Sequence, residues 1–69
     1  VTKLRWNGDY TADGRYMIQV GSIYHGPGVP REREYETFFM PGTPEVVSIG
    51  IHGRRRDAKR AAQEHADGA

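Results

Sequence analysis

The sequence predicts an α+β domain: an antiparallel sheet of three or four strands with one C-terminal helix packed on one face. Three observations carry this. Apolar residues alternate in Arg15–Tyr24, Arg31–Met40 and Glu45–Ile51, the period of half-buried strands. Glycine- and proline-rich turns separate those stretches. Ala58, Ala61, Ala62, His65 and Ala66 then recur at the helical period as one narrow stripe. Strands first and a helix last suit a sheet with its helix on one side.

Each element has its own warrant. Leu4 and Trp6 alternate with charged neighbours, which fits a short strand or an extended arm. Asn7-Gly8-Asp9 is a turn signal, since Asn and Gly accept positive φ, and Asp13-Gly14 repeats it. In the next strand Tyr16, Ile18 and Val20 share one face, with Arg15, Met17 and Gln19 on the other. "HGPGVP", His25 to Pro30, has two prolines that lack the amide a ladder needs, so it is a loop. "REREYETFFM" places Arg31, Arg33, Tyr35, Thr37 and Phe39 on one side and Glu32, Glu34, Glu36, Phe38 and Met40 on the other. Its first half is charged on both faces, the usual guard of an exposed sheet edge; an acidic contact surface is the alternative. "PGTP" is a turn. "EVVSIGI" follows with Val47, Ile49 and Ile51 on one face. The alanines of the helix allow close approach to a sheet, and Gly68 is a stop signal.

With 69 residues, the chain is expected to be a single small domain over 1–69. A domain of this size buries only about 60% of its extended surface, and its core supplies ~3–5 kcal/mol. The absence of cysteine excludes disulfides and thiolate metal sites. His25, His52 and His65 have no metal-ligand spacing, so no metal and no cofactor is expected. Dimerisation stays open as a further source of stability. No apolar run approaches ~18 residues, so no membrane span is expected, and "VTKLRW" lacks the apolar core of a signal peptide. A cytoplasmic location fits these features. Val1 fits a GTG start, or equally a boundary chosen in a longer chain, and the arginine-, glycine- and alanine-rich composition suits a GC-rich genome or its phages.

The formal net charge is only +1, but it is polarised. Arg54, Arg55, Arg56, Lys59 and Arg60 cluster against a single acid, Asp57, whereas acids dominate Glu32–Glu45. Three arginines at a helix start and Glu64 and Asp67 at its end both oppose the helix dipole, at ~0.3–1 kcal/mol each when exposed. Asp57 offsets part of this and can pair with Arg60 at i+3. Two readings follow. Either the basic face pairs with acids of the sheet, such as Glu45 or the Glu32–Glu36 run, or it awaits an anion. Free amides at a helix start favour phosphate, and arginines add bidentate donors.

"GRRRDAKRAAQEHA" resembles the last helix of the double-stranded-RNA-binding domain, with a motif of roughly K-K-x-A-K-x-x-A-A. Arg55 and Arg56 take the paired-lysine positions, and Asp57, Ala58, Lys59, Ala61 and Ala62 follow in register. The resemblance covers about the last 45 residues and implies a helix start that grips phosphates. That family begins with a helix, where this chain reads as extended. Over nearly its whole length the chain also looks like small phage and prophage proteins of GC-rich bacteria. Trp6, Gly8, Tyr10, "GRYMI", Ile49-Gly50 and "DAKRAAQEHA" carry that likeness. It implies a sheet followed by a helix and an accessory protein that acts by binding.

Enzyme chemistry finds little support. The tyrosines sit in strands, His65 lies on the alanine stripe, and "HGPGVP" lacks the Lys and Ser/Thr of a phosphate loop. Trp6 is expected in the core. The function expected is non-enzymatic binding of DNA or RNA backbone, with Arg54, Arg55, Arg56, Lys59 and Arg60 contacting phosphates. The alternative is a protein-interaction module, such as a phage accessory protein or inhibitor, that docks an acidic protein surface on the basic patch or adds to a sheet edge.

Overall fold

The computed structural model describes residues 3–42 and 44–68. The chain forms β1 (Trp6–Asn7), β2 (Tyr10–Thr11), β3 (Tyr16–Ile23), β4 (Glu32–Phe39), β5 (Val47–His52) and α1 (Arg55–Gly68). All strands join one antiparallel sheet in chain order. The class is α+β with a single C-terminal helix, and the sheet has five strands where the sequence predicts three or four.

The extra pairing comes from the first eleven residues. Both predicted turns exist, but the stretch between them is itself a strand: Tyr10 pairs with Asn7 on one side and Met17 on the other. Gly8 makes the first turn possible. Its φ of 66° falls at the first of the two central positions, as in a type II′ turn that matches strand twist. Thr11 closes the second turn. Its hydroxyl accepts the Tyr16 amide at 3.0 Å and donates to Asp13 Oδ1 at 2.7 Å, and Asp13 Oδ1 also accepts the Arg15 amide at 3.0 Å. Those bonds, the Thr11 hydroxyl first, hold the Asp13 carboxyl below its ordinary pKa. The expected Pro41–Pro44 turn includes Thr43, which lies outside the described residues.

Among the described residues Tyr16, Ile18, Ala58 and Ala62 are the buried apolar ones. The alanine stripe is met: Ala58 and Ala62 are fully buried, and Ala61, His65 and Ala66 are half-buried. With no side chain beyond Cβ, Ala58 lets α1 come close enough for Thr37 Oγ1 to donate to its carbonyl at 3.1 Å. Further along, His65 stacks on Phe39 with ring centroids 4.7 Å apart, and its Nδ1 lies 2.7 Å from the Tyr16 hydroxyl. At the other end Arg55 lies over Tyr35. These contacts occur in the same order on both elements, so α1 runs along β4. The lengths agree: Arg55 to His65 spans ~15 Å of helix, and Tyr35 to Phe39 ~14 Å of strand. The Leu4 amide donates to Gln63 Oε1 at 2.8 Å, tying the N-terminal segment to the helix.

Of two strand expectations, the first is met where it was made and the second is corrected. Tyr35–Phe39 pair with both β3 and β5, so that half of β4 is central. The edge reading survives for Glu32–Glu34, which pair with β3 alone. β3 and β4 thus run on past β5 as a two-stranded ribbon, in a molecule 45 Å in its longest dimension. Secondly, Val47, Ile49 and Ile51 do not share a face. Thr37 pairs with Gly50 but Phe38 with Ser48, so Ile49 is an unpaired extra residue, a β-bulge. Val47 then opposes Phe39 while Ile51 opposes Glu36, whose side chains lie on opposite faces. The bulge bends at Gly50, whose φ of 148° disfavours any residue with a Cβ.

Candidate nucleic-acid interface

β5 stays paired through His52, opposite Tyr35, and the short Gly53-Arg54 connection then starts α1 above the Tyr35 end of β4. Arg54 occupies the cap position, its carbonyl accepting the amides of Asp57 and Ala58, both at 3.2 Å. Helices usually place Ser, Thr, Asp or Asn there, so that a side-chain oxygen satisfies a first-turn amide. Arginine has no side-chain acceptor, and among the described residues the helix start has no such cap.

The five predicted contact residues divide into two groups. Arg55 and Lys59 are engaged by the fold. The Arg55 Nε is 3.4 Å from Asp9 Oδ1, and its guanidinium sits 5.4 Å from the Tyr35 ring centre. Asp9 Oδ1 is shielded from solvent and makes no hydrogen bond among the described residues, so Arg55 supplies its compensation through charge alone. The Lys59 ammonium lies 5.4 Å from the Trp6 ring, a cation–π arrangement. Arg54, Arg56 and Arg60 are exposed. Among the described residues they form no ion pair, and the i+3 pair expected between Asp57 and Arg60 is not formed.

Two of the three acids of β4 are engaged elsewhere. Glu36 accepts the Ser48 hydroxyl at 2.6 Å, and Glu32 lies 3.5 Å from His25 Nε2. The acid that Arg55 meets is Asp9, in the first turn. Sequence reasoning passed over it, along with Tyr35 and Trp6 as cation platforms. An "NGD" turn signals only a turn, and nothing local links it to the helix.

Other candidate groups are taken up by packing. Tyr16, 2% exposed, meets His65 inside the core. The His52 ring folds back over Gly50, and its Nδ1 is buried without a partner among the described residues. Among those residues no group of three or more His, Asp or Glu is placed to hold a metal ion. No helix among them is long and apolar enough to cross a membrane. A hollow of about 210 Å³ lined by Lys3, Leu4, Arg5, Ala12 and Asp13 brings together no nucleophile and base.

The chain matches no protein-family model, no curated protein and no solved structure. The chemistry of the arginine cluster is therefore the basis for a functional reading.

Proposed function

We propose that this chain is a small, non-enzymatic, cytoplasmic binding protein that holds nucleic-acid backbone through the start of α1, with the helix packed against one face of the sheet. One observation carries the reading: Arg54 and Arg56 are exposed at a helix start where, among the described residues, they form no ion pair and no side chain caps the first turn. Arg60 extends the charge by one turn. Arg55 and Lys59, tied to Asp9, Tyr35 and Trp6, are held in place at the border of the patch. Such a surface positions phosphates without reading bases. The resemblance to RNA-binding helices points the same way; the likeness to small phage accessory proteins implies binding without naming the partner.

The test is a salt titration of oligonucleotide binding. With about four phosphate contacts, log K should fall against log salt with a slope of roughly −3 to −4. Arg54→Ala/Arg56→Ala should abolish most of the binding and leave thermal stability equal or higher. No shift of DNA or RNA at low salt would end the reading.

A second reading has its own observation. Val47 and Ile51 are 46% and 57% exposed in β5, the outer strand of the sheet, and Val46 just before it is 52% exposed. A protein partner, or a second copy of the chain, that adds a strand there would cover them. Protection of β5 amides on complex formation would support this alternative.

A further inference from the structure

The β3–β4 ribbon beyond the helix divides its charges by face. The pairs Val20–Tyr35 and Ser22–Arg33 share one side, and Gln19–Glu36, Gly21–Glu34 and Ile23–Glu32 share the other. Arg31 continues the first side, its guanidinium 5.2 Å from the Tyr24 ring. That side carries the arginines and also bears Tyr35, the residue on which Arg55 rests. The opposite side carries the three glutamates.

Because α1 runs along β4 with its start above Tyr35, the helix N-terminus points out over this ribbon. Arg33 and Arg31 lie ~7 Å and ~14 Å further along the same face. The helix axis stands on the order of 10 Å above the sheet, the usual spacing of packed layers. The result is an elbow, with the ribbon arginines as its floor and the helix start, with Arg54 at its cap position, as its wall. Opposite faces of a strand hold their charges ~10 Å or more apart, beyond the ~8 Å screening length at physiological salt. The glutamates behind therefore leave the floor positive and make the ribbon one-sided.

We propose that this elbow seats a phosphodiester backbone, which Arg31 and Arg33 grip from below while the helix start grips it from the side. The inference rests on the nucleic-acid reading above and adds a second, sequence-distant half to its site. The one-sided ribbon fixes which way the ligand lies.

The experiment measures fluorescence anisotropy of labelled single-stranded DNA, duplex DNA and duplex RNA between 50 and 200 mM salt, the range over which phosphate contacts are felt strongly. The three ligands distinguish the source of the backbone. Arg31→Gln/Arg33→Gln should weaken the best ligand at least tenfold at the lowest salt and reduce the slope by about 1.4 to 1.8 units. At physiological salt and above, the isosteric Glu32→Gln/Glu34→Gln should change affinity by less than about twofold, as screening predicts. Circular dichroism and melting of both variants should match the parent, since these side chains project from the ribbon. An unchanged affinity in the arginine variant overturns the elbow. So does a gain in the glutamate variant as large as the arginine loss, because that would mark net charge rather than a site. If Arg54→Ala/Arg56→Ala abolishes binding while the ribbon variant does not, the elbow alone fails. If the parent protein binds none of the three ligands, both readings fail together.

Discussion

The Arg55 side chain reaches from the first turn of α1 to the β1–β2 turn, bringing its Nε within 3.4 Å of Asp9 Oδ1 while its guanidinium covers the Tyr35 ring. One member of the arginine triplet is thus a structural tie between the two ends of the described chain. The pair is partly solvated, so its electrostatic part is worth no more than ~1 kcal/mol, with the stacking adding to it. Arg55→Ala should lower stability by about 1 kcal/mol, or roughly 4–8 °C in a domain of this size. Arg54→Ala and Arg56→Ala should be neutral or slightly stabilising, since each relieves an unfavourable dipole contact. Thermal melts of the three single variants check this. Equal losses at all three positions would mean that the triplet acts as one structural unit.

Thr37 is the largest fully buried side chain among the described residues, and its hydroxyl binds the Ala58 carbonyl. Thr37→Val keeps the shape and removes the hydrogen bond. The expected loss is about 1 kcal/mol, read as a lower urea midpoint with an unchanged slope. Thr37→Ala should lose more, because it also leaves a void under the helix.

Gly50 combines a φ of 148° with a tight neighbour, since a Cβ there would lie 3.0 Å from His52 Cε1. Gly50→Ala should cost on the order of 1–3 kcal/mol and weaken amide protection in β5 first. Hydrogen exchange resolved by strand checks it. Uniform loss across the sheet would argue that the bulge is not the weak point.

Burial raises the pKa of the Tyr16 phenol, the nearby Asp13 charge adds to this, and Arg15 opposes it. A raised folded value means that the native state holds this proton more tightly than the unfolded chain, whose tyrosine titrates near 10. The contribution is fully present below about pH 10 and is lost as pH rises through the folded value. Urea unfolding at about pH 8 and about pH 11 should show a steeper decline for the parent than for Tyr16→Phe, which has no proton to lose. Parallel declines would show that Tyr16 does not report on the core.

Much of the architecture could be read from periodicity. Alternation in β3 correctly separated Tyr16 and Ile18 from Met17 and Gln19, and the spacing of small residues marked the buried side of α1. Where prediction failed, tertiary geometry was decisive. A two-residue strand such as β2 is too short to show a period, so the segment between two turn signals could not be recognised as paired. The charged first half of β4 resembled an edge because it is one locally, although the second half is central. The bulge at Ile49 reversed the inward pattern of β5 without any change in composition. At the candidate site, the clustering of Arg54–Arg56 was visible in sequence. The facing of Arg31 and Arg33 toward the helix start depends on strand register and on where α1 lies.

The strand order has a kinetic meaning. Every strand pairs with its immediate neighbour along the chain, so no pairing waits for a distant segment to be found. Topologies built from such near-range contacts fold comparatively fast. Each hairpin can close as its second strand becomes available, and α1 then adds Ala58 and Ala62 to a sheet already in place. The ribbon that extends past β5 is closed by one such neighbouring pair, β3 with β4, so the arm bearing Arg31 and Arg33 needs no strand pairing from α1 or β5.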